Sequence, residues 1–172
     1  IRHLSSRDQP GSLGSNSITA LYEDKQKRLW VGTSGSGLQL FDVRTETFRS
    51  WTTKDGLANN FIAGIIEDDQ HNLWLSTNGG ISCFNPTTQV IENYDQSDGL
   101  IGKEFLPDAC AQLPSGELAF GNMQGLVVFN PERVRSKTTP PDVYLSDLKL
   151  FNRPVNLADS EAPTCLDMTD VT

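Results

Sequence analysis

Short runs of apolar residues, many alternating with polar ones and each closed by Gly, Asn, Asp or Ser, recur along the chain. In residues 16–42 (NSITALYEDKQKRLWVGTSGSGLQLFD) and 60–86 (NFIAGIIEDDQHNLWLSTNGGISCFNP) they fall in the same order. No amphipathic helical period separates them, so the pattern predicts a β-meander. The expected strands span 18–22, 29–33, 38–41 and 48–52, then 62–66, 73–77, 81–84 and 90–94. Leu29-Trp30 returns as Leu73-Trp74, 44 positions on. A decayed third copy follows, with 109–112, a Pro114-Ser115-Gly116 turn, 118–121 and 125–131; Phe84-Asn85-Pro86 returns there as Phe129-Asn130-Pro131.

Four short strands in roughly 40–50 residues make one propeller blade. Blades stack face to face, which demands apolar residues on both sheet surfaces. The expected inner strand carries Ile18/Ile62, a small residue at Ala20/Gly64/Ala109 and an apolar one at Leu21/Ile65/Cys110. The fold expected is all-β, a partial β-propeller of about three four-stranded blades. Residues 1–15 form the outer strand and linker of a preceding blade, because Ile1-x-x-Leu4 aligns with Phe48-x-x-Trp51 and Ile91-x-x-Tyr94. Residues 16–59 and 60–103 are complete blades. Residues 104–139 form a blade without its own outer strand. Unpaired edges of that kind invite self-association, with 1–4 of one copy completing the third blade of another, or association with other blades of a longer protein.

A net charge of −8 over 172 residues, with no basic cluster, excludes nucleic acid and anionic membrane surfaces as partners. No apolar stretch is long enough to span a membrane, and the first residue, Ile1, reads as that of an excised or processed fragment. The three cysteines, Cys83, Cys110 and Cys165, have no CxxC spacing, and two histidines are too few for a zinc site. Register places Cys83 and Cys110 at buried apolar positions, and Trp30 and Trp74 at a blade-packing position. Glu23-Asp24 and Glu67-Asp68-Asp69 read as turn caps and hold too few clustered oxygens for calcium. No nucleophile elbow, zinc-protease helix or phosphate loop is present, so no catalytic residue, metal or cofactor is assigned.

Strand alternation puts the turn between strands two and three at the same end as the linker to the next blade. That end is rich in Asn, Ser and Gly, with Trp51 and Tyr94 nearby. Hydrogen-bonding groups beside aromatic surfaces suit an oligosaccharide, and the candidate ligand residues are Ser34, Asn59, Asn60, Asn78 and Asn122. Each of these types also favours turns for backbone reasons, which is the competing explanation.

The motif I-x-x-[LI]-[YI]-E-D-x(4)-L-W-[VL]-[GS]-T-x-G-G-[LI]-x-x-F, in 18–41 with one extra residue and in 62–84, resembles the two-component regulator propeller repeat. The spacers Asp55-Gly56-Leu57 and Asp98-Gly99-Leu100 match the same family. Pro140-Pro141-Asp142-Val143-Tyr144-Leu145 resembles the entry to the Ig-like β-sandwich, the three-tyrosine domain, that follows such propellers. The resemblance implies the first strand or strands of that sandwich in 140–172, with 143–150 as strand and 158–172 weakly anchored. It further implies a piece of the periplasmic, glycan-sensing region of a hybrid histidine kinase anchored in the inner membrane. The chain itself would then be no enzyme. A propeller scaffold for proteins, without a small ligand, is the alternative.

Overall fold

The computed structural model describes residues 3–6 and 9–135, with two short segments at 149–150 and 153–154. It separates into two units, Ile1–Lys137 and Thr138–Thr172.

In the first unit β1 (Ile18–Glu23), β2 (Leu29–Thr33), β3 (Leu38–Asp42) and β4 (Thr47–Trp51) form one antiparallel sheet in chain order. β5 (Ile62–Glu67), β6 (Leu73–Thr77), β7 (Gly80–Phe84) and β8 (Ile91–Tyr94) form the second. β9 (Phe105–Gln112), β10 (Leu118–Asn122) and β11 (Gly125–Phe129) form a three-stranded third. The repeat fixes register as well as strand order. Tyr22 faces Trp30, Ile66 faces Trp74 and Ala111 faces Ala119, and both complete blades have an irregularity at the same place, between Ile18 and Ala20 and between Ile62 and Gly64.

The third sheet ends at β11, and a short helix not foreseen in the sequence, α1 (Pro131–Arg135), follows. Asn130 caps its start, its side-chain oxygen accepting from the backbone N–H of Glu132 at 2.9 Å. His3–Ser6, expected to belong to an outer strand, lie outside the sheets and make a single bridge, Ser6 to Leu13.

Packing explains why both faces of each blade are apolar. Between blades one and two, Trp30, Leu38, Trp51 and Leu57 meet Ile65, Leu73, Leu75 and Phe84. Between blades two and three, Ile66, Trp74, Ile81 and Cys83 meet Phe105, Leu118 and Phe120. Covered on both sides, β5, β6 and β7 are buried along their whole length. Removing each large side chain from water is worth about 1.5–3 kcal/mol. Small residues on the inner strands let neighbouring sheets approach: a Cβ on Gly64 would lie 2.7 Å from the Cys110 sulfur.

One polar device recurs in the two complete blades. The buried Asp68 carboxylate accepts from the backbone N–H groups of Gln70 and Asn72, both at 2.9 Å, from Asn72 Nδ2 at 3.0 Å and from Trp74 Nε1 at 2.9 Å. Asp24 does the same for Gln26, Arg28 and Trp30, the indole donating at 2.8 Å. Burial pushes the Asp24 carboxyl up, but the Trp30 and Arg28 donors outweigh it and hold the group below its usual range. The acidic residues expected to cap turns therefore also supply the acceptor that a buried indole requires. Next to this clamp, Glu67 accepts from the Lys25 backbone N–H of the preceding blade at 2.7 Å and bonds His71 Nδ1 at 2.7 Å.

In the second unit, β12 (Lys149–Leu150) and β13 (Arg153–Pro154) pair antiparallel. The rest of the expected sandwich entry, including 143–148 and 158–172, lies outside the described residues.

Candidate functional site at the polar loop end

Backbone hydrogen bonds bring the predicted loops together at one end of the sheets. The Gly37 N–H, from the β2–β3 turn, donates to the Asn60 carbonyl at 2.9 Å. The Gly80 N–H donates to the Lys103 carbonyl and the Met123 N–H to the Glu104 carbonyl, each at 3.2 Å. Each turn thus leans on the linker that leads into the next blade or into its own.

The linkers are themselves rigid. Thr53–Asp55 and Gln96–Asp98 are single 3-10 turns with reciprocal caps, from Thr52 with Asp55 and from Asp95 with Asp98. Bonds from the Ser97 hydroxyl and backbone N–H hold the Asp95 carboxyl below its ordinary range. Gly56 and Gly99 end these turns at φ of 109° and 97°, which a residue with a side chain rarely adopts. Leu57 and Leu100 then drop into the blade interfaces.

The candidate residues divide into two groups. Asn60 Oδ1 accepts from the Thr53 N–H and Asn59 Oδ1 from the Phe61 N–H, both at 2.8 Å. Asn122 is buried, donates to the Ile101 carbonyl and accepts from the Gln124 N–H. These three latch loops. Ser34 and Asn78, by contrast, are exposed at equivalent places in consecutive blades, so their side chains face solvent.

The aromatic residues do not offer stacking surfaces here. Trp51 is buried between blades one and two, with its ring centroid 5.5 Å from that of Trp30. Tyr94 is half-buried and stacks on Trp74 at 5.4 Å. Burial raises the Tyr94 phenol well above its ordinary pKa, so it remains protonated. Both positions serve blade packing, because an outer strand places the last side chain before the linker over the adjoining sheet.

A cleft of about 310 Å³ opens beside Asn122, lined by Gln96, Gly102, Lys103, Glu104, Met123 and Gln124. Its polar side chains come from the linker into blade three and the turn of that blade. Residue type alone favoured the asparagines and passed over Gln96, Lys103 and Gln124. The pairing of each turn with its linker was the signal that marked this junction.

Among the described residues, no three His, Cys, Asp or Glu side chains gather closely enough to hold a metal. No helix among them is long and apolar enough to cross a membrane. Cys83 is buried and its thiol is pushed up to about 12 by that burial. Cys110, expected to be buried, is only half-covered, because the blade interface shields one side of its strand. Cys83 should resist a thiol-specific reagent at pH 8 in the folded chain and react on unfolding. Mass mapping of rapid Cys83 modification in the native state would contradict this placement.

Residues 12–35 and 56–79 match the family described as the two component regulator propeller. Each match runs from the linker leucine through the aspartate clamp and tryptophan to the polar turn. The two segments are thus similar to consecutive repeats of that family. Over 83 residues the chain is 32% identical to histidine kinase P4 of Formosa agariphila, covering 48% of this chain and 6% of that protein. It also resembles the extracellular domain of a putative one-component system from B. thetaiotaomicron, with a TM-score of 0.60, 25% identity, and coverage of 69% of this chain and 17% of that one. PorZ of Porphyromonas gingivalis, a surface component of the type-IX secretion system, shares the fold at a TM-score of 0.52 and 18% identity, over 76% of this chain and 19% of its own. The chain thus spans a small part of the length of these relatives.

Proposed function

We propose that this chain is part of the extracytoplasmic sensory region of a two-component histidine kinase, and that its polar loop end takes part in binding a glycan. The observation that carries the reading is the pair of two-component regulator propeller repeats, matched in register with the turns and linkers of that end. Exposed Ser34 and Asn78, and the cleft at Gln96, Lys103 and Gln124, offer donors and acceptors of the kind that sugar hydroxyls require. The linkers join consecutive blades, so a ligand held there would bear on the angle between blades. A periplasmic location and an inner-membrane anchor in the intact protein accord with the extracellular domain it resembles.

Calorimetric titration with a panel of oligosaccharides tests this directly. One class should bind, and Asn78→Ala or Gln124→Ala should weaken it by roughly tenfold, the cost of about one lost hydrogen bond, without altering thermal stability. If no oligosaccharide binds and a protein partner is captured at the same end, the polar face is a protein scaffold. Unchanged affinity in both variants would place the glycan site outside this end.

A further inference from the structure

Three polar links hold blade two against blade one and its linker at positions where the repeat continues into blade three. The Thr19 hydroxyl donates to the Ile62 carbonyl at 2.6 Å. The buried Glu67 carboxylate accepts from the Lys25 N–H at 2.7 Å. The Ser82 hydroxyl accepts from the Ala58 N–H at 3.1 Å and so fixes the linker as it enters blade two. Beside them the Lys25 ammonium reaches the Asp68 carbonyl at 3.3 Å and the Asp69 carboxylate at 3.1 Å.

Register pairs Thr19 with Ala63, Glu67 with Gln112 and Ser82 with Val127. Alanine has no hydroxyl to offer the Phe105 carbonyl, and valine has no acceptor for the Ile101 N–H. Gln112 carries an amide in place of the carboxylate and reaches Asp69 Oδ1 at 3.4 Å. Other contacts across the second joint are long or weak. The Gly80 N–H lies 3.2 Å from the Lys103 carbonyl, where Gly37 reaches Asn60 at 2.9 Å. The Arg135 guanidinium lies 3.3 Å from Gln70 Oε1 and 3.6 Å from Glu92. Cys110 adds a sulfur contact with the Ile65 backbone. The remainder of the joint is apolar. Apolar packing is non-directional and resists separation more than tilting, whereas hydrogen bonds fix an angle.

We infer that the chain has one locked joint and one compliant joint: blades one and two move as a single body, and blade three tilts on it. The residues that set the difference all lie within the two internal joints. The cleft lined by Gln96, Lys103 and Gln124 sits on the linker of the compliant joint, so a molecule held there would act on the angle that yields. The inference itself needs no ligand, and its test stands apart from that of glycan binding.

Cys83, 3% exposed in the core of the second joint, is the probe. At pH 8 a thiol reagent should label it slowly in the native chain, through openings at least about tenfold more frequent than global unfolding. Denaturant titration of tryptophan fluorescence gives the global value. The β1 and β2 amides should exchange with solvent only at the global rate. Ala63→Ser with Val127→Thr supplies the two absent hydroxyls with little change in volume and should slow Cys83 labelling by about tenfold. Thr19→Val with Glu67→Gln removes two links from the first joint. That variant should speed β1 and β2 exchange by about tenfold or more and leave Cys83 labelling unchanged. Labelling of Cys83 only at the rate of global unfolding would overturn the proposal. So would labelling that the added hydroxyls do not slow in a variant with native near-UV circular dichroism. Unchanged β1 and β2 exchange in the second variant would overturn it too, since the links would then not be what locks the first joint.

Discussion

Replacing Asp68 with alanine should destabilise the chain by about 3–5 kcal/mol, read as a fall in the denaturant midpoint at constant slope. The side chain is 2% exposed and receives hydrogen bonds from two backbone N–H groups, Asn72 and the Trp74 indole. Alanine would leave those buried donors without an acceptor, at about 1–3 kcal/mol for each one that water cannot reach. A second substitution separates the contributions. Trp74→Phe removes the indole N–H and keeps much of the ring, so the pair should show a coupling energy when combined. A loss below about 1 kcal/mol for Asp68→Ala would mean that the clamp is incidental to packing.

Gly37→Ala should be nearly as damaging, at about 3 kcal/mol or more, because two costs coincide. Gly37 has φ of +72°, and an added Cβ would collide with the Trp51 carbonyl oxygen. That oxygen is backbone and cannot swing aside, so β3 and β4 would have to separate where the turn meets the linker. Gly35, two residues earlier, has nothing within 4 Å of its Cβ position, and Gly35→Ala should be close to neutral. Thermal melts of the two variants side by side provide the comparison. Equal melting temperatures would show that the turn relaxes freely.

The strands and their order were legible because short apolar runs, repeated at 44 residues, set successive sheets face to face and bury both faces of the middle one. The pairing of turns with linkers at one end followed from strand alternation alone. Other features depended on contacts that residue types do not disclose. Asp24 and Asp68 looked like turn caps, and their bond to an indole six residues on became visible only once the turn had closed. The decayed repeat holds the corresponding hint. Where blade two has Asp68, His71 and Trp74, blade three has Leu113, Gly116 and Ala119.

His71 and Lys27 hold φ of 64° and 65°, a strained region for residues with side chains, and Gly116 takes the same turn at 82° without strain. The clamp and the left-handed turn were lost and relieved together. Trp51 and Tyr94 were misplaced as ligand platforms for a related reason. At a strand end, sequence shows an aromatic beside polar loops, and only the stacking of one sheet on the next reveals that its ring points inward. α1 carried no such pattern, being a single capped turn after Asn130.

Within each sheet the strands share a backbone ladder, whereas successive sheets meet through side chains, linkers and a few cross-links such as Glu67 with the Lys25 amide. That division gives the first unit the mechanics of stiff leaves on short bindings. Cooperativity then passes from neighbour to neighbour, and the middle leaf, flanked on both sides, is the last to open. A force that tilted one leaf would reach the next as a change of angle and would leave the hydrogen bonding inside each leaf intact.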